Sequence, residues 1–260
     1  MRYKRSFAQI FLKDKRYLER IINSIDVEIK GRDVLEIGAG RGELAQHLVK
    51  KVNRLYCVEI DYRLVEFLKK RFSSSPQVEI IKGDILKLDL SFLNNKKVVV
   101  VGNIPFNISN FLIRYVVKNR AFIEKAFFTF QKEFASKLIA SPNTKVYGFL
   151  SCYIQLFAKV DKLFDIPRTA FSPKPKVDAS FVKIVFFPWE ALYEVKDPSS
   201  LFRLIRKAFS QRRKKLINSL EKFYSKEKLK RAFLSLGFKE DLRAENLSLK
   251  DYCRLFNYFH

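Results

Sequence analysis

The chain has 260 residues, 48% of them hydrophobic, and carries 51 Lys and Arg against 27 Asp and Glu, a formal net charge of +24. It is long enough to bury a core, no run approaches the roughly 18 apolar residues of a membrane helix, and no apolar run of roughly 7–15 residues follows the basic start, so neither a membrane span nor a signal peptide is expected. So unbalanced a charge repels itself in a compact state and fits a polyanionic partner; with no basic amphipathic anchor for lipid in view, nucleic acid is the expected one.

Short apolar runs at residues 34–37, 55–58, 78–81, 98–101 and 126–130 predict buried strands. Between them lie amphipathic stretches. In residues 64–72 the apolar positions Leu64, Val65, Leu68 and Phe72 share one helical face. Strands alternating with helices predict an α/β fold, doubly wound and Rossmann-like, with a mainly parallel sheet. Residues 179–187 alternate toward a closing strand. The character of the chain changes between Pro188 and Pro198. Beyond it, residues 201–210, 212–220, 225–236 and 248–259 predict helices, with Ser248 as an N-cap and Gly237 as a C-cap. The expected division is therefore an α/β domain over residues 1–188 and a small helical domain over 189–260. The tail carries 17 Lys and Arg against 9 Asp and Glu, and the rest 34 against 18, so the charge belongs to both parts. Three scattered cysteines, Cys57, Cys152 and Cys253, fit neither a disulfide framework nor a zinc site; a reducing, cytoplasmic setting and no metal are expected.

The first strand ends in Glu36-Ile37-Gly38-Ala39-Gly40-Arg41-Gly42-Glu43, with a helix expected from Leu44. Glycines here let the backbone turn sharply and approach a ligand. The last glycine of a dinucleotide fingerprint, G-x-G-x-x-G, would fall at Glu43, so that pattern fails. What stands is G-x-G-x-G, which resembles the first motif of S-adenosylmethionine methyltransferases. Glu59 closes the second strand 21 residues after Gly38, where an acidic side chain accepts bonds from ribose hydroxyls. Asp84 follows the third strand; in this methyltransferase class such an aspartate accepts a bond from the cofactor adenine amine, and the next apolar residue, Ile85, packs on the ring. Alone, Glu59 reads equally as a solvated strand end and Asp84 as a turn residue; three features at successive strand ends favour a cofactor site.

The fourth strand ends in Gly102-Asn103-Ile104-Pro105-Phe106-Asn107. It resembles the [N/D]-[I/L/P]-P-[Y/F] motif of amino-methyltransferases. The lone pair of an adenine amine is delocalised into the ring and attacks poorly. The Asn103 side-chain oxygen and a loop carbonyl accept its two N–H bonds, drawing density onto nitrogen and fixing its direction. Pro105 stiffens the loop, and Phe106 stacks on the purine face. No strong general base is required, because the methylated cation loses its proton readily to water.

Together these motifs resemble the bacterial small-subunit ribosomal RNA adenine dimethyltransferases, the KsgA/RsmA family. Further matches are residues 6–12 (SFAQIFL), Gln131-Lys132-Glu133, residues 171–180 (FSPKPKVDAS), Gln211-Arg212-Arg213-Lys214-Lys215 and residues 243–248 (RAENLS). The resemblance implies dimethylation of two neighbouring adenosines near the 3′ end of small-subunit rRNA; the sequence gives no oligomeric state, and a monomer is expected. It implies cofactor contacts from Leu12, Gly38, Gly40, Glu59, Asp84, Ile85 and Asn103, and a target adenine between Phe106 and Phe171. Arg212, Arg213 and Lys215, at the start of the helix expected over 212–220, are the candidate RNA contacts. Ala8 and Ile10 stand where the family has glycine and His or Asn, and Phe106 where it usually has Tyr. Two alternatives remain: a large-subunit rRNA methyltransferase of the macrolide-resistance type, which shares N-I-P-[Y/F], and a non-catalytic assembly factor on the same scaffold. The Q-K-E, Q-R-R-K and R-A-E-x-L-S matches favour the small-subunit enzyme.

Overall fold

The computed structural model describes residues 10–188 and 195–260. They fall into two compact units: 10–135 with Val160–Phe186, and Ser136–Lys159 with the chain from Phe187 onward.

The first unit is built on a sheet. Its strands in chain order are β1 (Phe11–Leu12), β2 (Asp33–Ile37), β3 (Arg54–Glu59), β4 (Val78–Lys82), β5 (Val98–Asn103), β6 (Ile123–Gln131), β7 (Ala158–Ile166), β8 (Phe171–Ser172) and β9 (Ala179–Phe186). Seven of them form one sheet in the order β4-β3-β2-β5-β6-β9-β7. The neighbours from β4 to β6 are parallel, and β9 runs antiparallel to β6. A run such as Val98-Val99-Val100-Val101, buried throughout, suits a central parallel strand, because both of its faces are covered. The five predicted strands and the closing strand all appear, each within a few residues of its expected bounds.

Helix α1 (Lys15–Ile29) turns Ile21, Ile22, Ile25 and Ile29 inward and is capped by the Asp14 carboxylate, which accepts from the Arg16 N–H. Helix α2 (Ala45–Leu48) follows the glycine turn, and α3 (Tyr62–Arg71) buries Leu64, Val65 and Leu68 behind an Asp61 cap. Helix α4 (Ser109–Lys118) leaves the loop after β5. The sheet order reverses between β2 and β5: the chain leaves β2 toward β3 on one side, and β5 pairs on the other. Such a switch opens a crevice at the carboxyl ends of the strands. The glycine turn after β2 and the Asn103 loop after β5 both begin at that edge.

The second unit is helical, with Phe149–Gln155, Pro198–Ser210, Leu216–Leu220, Lys226–Leu236 and Leu249–Phe259. Ser248 caps the last helix, and Gly237, at φ 74°, ends the one before it, as expected. Two features differ from the sequence reading. The break after Phe186 lies close to the expected boundary, but Ser136–Lys159 belongs with the tail. Its Phe149, Tyr153 and Phe157 rings gather on Phe202 at centroid distances of 6.4, 4.9 and 5.6 Å. The helix expected over 212–220 starts only at Leu216; residues 211–213 form a turn, and Lys215 pairs with Arg243 in an isolated antiparallel bridge. Among the described residues no helix is long and apolar enough to cross a membrane.

Candidate active site

A cavity of about 240 Å³ opens in the first unit at the switch between β2 and β5. It is lined by the glycine turn, the ends of β3 and β4, the Asn103 loop, and residues Ile10 to Leu12. The turn works because Gly38 and Gly40 sit at φ 69° and 62°, a region L side chains rarely adopt. A Cβ on Gly40 would also stand 3.0 Å from the Phe11 ring.

Glu59, at the end of β3, is 5% exposed. Its Oε2 accepts from the Gly40 N–H at 2.9 Å, and its Oε1 accepts from the N–H groups of Ile60 and Asp61, each at 2.9 Å. Three of roughly four lone-pair sites on the carboxylate are therefore engaged in holding the glycine turn to the β3 end. Asp84 caps the short helical turn Ile85–Lys87, accepting from the Leu86 N–H at 3.0 Å. Its second oxygen has no protein donor among the described residues, and Ile85 beside it is buried.

Asn103 ends β5. Its Nδ2 donates to the Ile10 carbonyl oxygen at 2.9 Å. The donor end of the amide is thereby committed, and the Oδ1 is left to accept from a ligand. Ile104, 2% exposed, anchors the next position, its N–H reaching the Thr129 carbonyl at 3.3 Å. Pro105 lines the cavity at φ −55°.

The structure thus brings Leu12, Gly38, Gly40, Glu59, Asp84, Ile85, Asn103 and Pro105 to one cavity. Phe106 is not on its wall: it starts a short helical turn and packs, half-buried, against the hydrophobic cluster that contains Phe171. Phe171 is 4% exposed and paired with Leu12 in the two-strand β1–β8 ladder, so here it is a core aromatic and not an open stacking platform. Arg212, Arg213 and Lys215 belong to the second unit. Arg212 forms an ion pair with Glu245 and donates to the Thr144 carbonyl at 3.2 Å, which makes it a tie within that unit. Arg213 and Lys215 are exposed and have no carboxylate partner among the described residues. The match at residues 6–9, with Ala8, lies outside the described residues.

Sequence reasoning missed Glu36, Glu43 and Ile60, which also line the cavity. Glu36 had a signal: a carboxylate inside the apolar run 34–37. It is 3% exposed, and burial, followed by the nearby Glu43 and Glu59 carboxylates, pushes its pKa up to about 8. Among the described residues the lining holds three ionised carboxylates, Glu43, Glu59 and Asp84, beside the protonated Glu36, and no Lys, Arg or His. A wall of that sign in a chain of net charge +24 fits a cationic ligand. Among the described residues no cluster of His, Cys, Asp and Glu is arranged to hold a metal.

A family model described as ribosomal RNA adenine dimethylase matches residues 1–260. The chain belongs to the ribosomal RNA adenine dimethylase family. Relatives of this family member include proteins named ribosomal RNA small subunit methyltransferase A from Mycoplasma mobile, 37% identical over 98% of this chain and 97% of the relative, and from Pseudomonas aeruginosa, 36% identical over 98% and 94%. Among solved structures, a dimethyladenosine transferase from Plasmodium falciparum superposes at a TM-score of 0.82 with 28% identity, covering 96% of this chain and 97% of that one. The 23S rRNA methyltransferase ErmE superposes at 0.75 over 95% and 98%; at 22% identity it shares the fold.

Proposed function

We propose that this family member transfers methyl groups from S-adenosylmethionine to the exocyclic amine of adenine in small-subunit ribosomal RNA, dimethylating two adjacent adenosines near its 3′ end. The observation that carries the reading is Asn103: an amide whose donor end is held by the Ile10 carbonyl and whose acceptor end is left for a ligand, on the wall of a cavity lined by carboxylates. Full-length relatives at 36–37% identity bear the small-subunit name, which favours that substrate over the large subunit.

Bound in the cavity, S-adenosylmethionine supplies a methyl group on a sulfonium cation. Glu59 and Asp84 would accept from its ribose and adenine, Gly38 and Gly40 admit it closely, and Leu12 and Ile85 pack on it. The Asn103 Oδ1 accepts one N–H of the target amine and a loop carbonyl the other, which orients the nitrogen lone pair. Phe106 stacks on the base once it reaches the rim, and Phe171 must turn out of the core to face it. The oriented amine nitrogen would take the methyl group that the bound cofactor would supply, with release of a neutral thioether, and the nitrogen's surplus proton would leave to water. Positioning and fixed dipoles then account for most of the acceleration. Residues 1–188 would do this chemistry, and the helical tail, through Arg213 and Lys215, would hold RNA. The test incubates the protein and labelled cofactor with unmodified small or large subunits and maps methylated adenines. Label confined to adjacent adenosines of the small-subunit RNA supports the reading; label in the large subunit, or in neither, refutes it.

A further inference from the structure

Helix α4 leaves the Asn103 loop directly, through the turn Phe106–Ile108. Its inner face is filled by Ser109, Leu112, Ile113, Tyr115, Val116 and Val117, all buried. Its outer face shows Asn110, Phe111, Arg114 and Lys118, a stripe at the i, i+3/i+4, i+7 spacing of one helical side. Phe111 is 61% exposed, although the helix has no apolar position left unfilled on its inner side. Arg114 and Lys118 are exposed and have no carboxylate partner among the described residues. Lys118 sits in the last turn, where a cation also suits the helix dipole. Arg114 is mid-helix and has no such reason to be there.

An exposed Phe by itself is ordinary. An aromatic ring flanked along one line by unpaired cations is the pattern that single-stranded nucleic acid uses, with bases on the ring and phosphates on the charges. At about 1.5 Å of rise per residue, Arg114 and Lys118 stand roughly 4.5 and 10 Å beyond Phe111, leading away from the target loop. Charge complementarity with a polyanion and continuity with the target-base loop name the occupant. We infer that the outer face of α4 is a track for the RNA strand beside the target adenosine: Phe111 stacks on a flanking base, and Arg114 and Lys118 take phosphates. The inference rests on the RNA-methyltransferase reading above and adds a substrate-holding surface within the first unit.

The test measures binding of a short single-stranded RNA carrying two adjacent adenosines across a salt series, for wild type, Phe111→Ala, Phe111→Trp and the double variant Arg114→Gln/Lys118→Gln. All three positions are exposed, so the variants are expected to fold, and circular dichroism and cofactor affinity check that they do. Phe111→Ala should weaken binding roughly 5- to 160-fold, the range of base–aromatic stacking, with the salt slope unchanged and Phe111→Trp restoring affinity. The double variant should lower the log–log salt slope by about 1.4. RNA affinity and slope equal to wild type in both the Ala and the double variant overturn the track while leaving the methyltransferase reading intact. Wild-type protein that binds cofactor but neither binds nor methylates any RNA overturns that reading, and the track with it.

Discussion

Replacing Glu59 by Ala should damage the fold before it damages cofactor binding. In the structure the carboxylate is 5% exposed and accepts from three backbone donors, the N–H groups of Gly40, Ile60 and Asp61. Truncation leaves all three without their acceptor. Ile60 is exposed, so water replaces its acceptor; for the two buried donors, at about 1–3 kcal/mol each, the cost is roughly 2–6 kcal/mol. For a chain of this size about 1 kcal/mol moves Tm by roughly 2–4 °C, so a fall of at least about 4 °C is expected. Glu59→Gln is the finer probe. It keeps an oxygen for Ile60 and Asp61 but turns an NH2 toward the Gly40 N–H, losing one bond of the three. Urea unfolding followed by circular dichroism should therefore rank wild type above Gln and Gln above Ala, while calorimetry on the Gln variant reads cofactor affinity in a folded protein. An Ala variant with the wild-type urea midpoint and slope would refute the idea that Glu59 holds the glycine turn to β3.

Asn103→Ala should slow single-turnover methyl transfer by about 2.7–4 kcal/mol of barrier, as for other preset polar contacts, while cofactor affinity changes little; near-normal rates would remove Asn103 from the target site. Asp84→Asn retains the cap on Leu86 but loses a carboxylate acceptor, so S-adenosylmethionine binding should weaken by roughly 1–3 kcal/mol in calorimetry, and unchanged affinity would sink its cofactor role. Glu36 keeps its proton in the native state up to a pKa of about 8, while in the unfolded chain it ionises near 4.5. The native state then binds more protons across that window, and stability falls as pH rises through it, by at most about 5 kcal/mol. Glu36→Gln should flatten this decline, and a wild-type stability profile that matches the variant from pH 4.5 to 8 would show Glu36 ionised when folded. Neutralising Arg213 and Lys215 should lower the log–log salt slope of RNA binding by about 0.7–0.9 per lost phosphate contact. Arg212→Ala should instead lower stability, since its partners are Glu245 and the Thr144 carbonyl; a salt slope unmoved by the first pair returns them to plain surface.

Much of this molecule is legible residue by residue. The parallel strands follow from short apolar runs, the glycine turn after β2 from Gly38 and Gly40, and the helix ends from Ser248 and Gly237. All of these are local: a few neighbouring side chains or one backbone conformation decide them. The order of motifs at successive strand ends also points to the proposed cofactor and target sites, because a parallel sheet brings those ends to one edge. Tertiary structure decided what depends on residues far apart in the chain. Ile10 and Asn103 are 93 residues apart, and only the fold sets the carbonyl of one against the amide of the other, fixing which end of that amide faces a ligand. Glu36 reads as part of a buried strand; burial does most to raise its proton affinity, and Glu43 and Glu59, which the turn and β3 bring beside it, add to it. Arg212 looks like one cation among four until Glu245, 33 residues later, neutralises it. Phe171 carries no sign in sequence of whether its ring is open or buried; its pairing with Leu12 puts it in the core. The sequence reading leaves Ser136–Lys159 in the first domain, and the packing of its aromatic rings on Phe202 places it with the helical tail. In each case the deciding energy is a contact between distant segments, and a sequence records such a contact only through the fold that makes it.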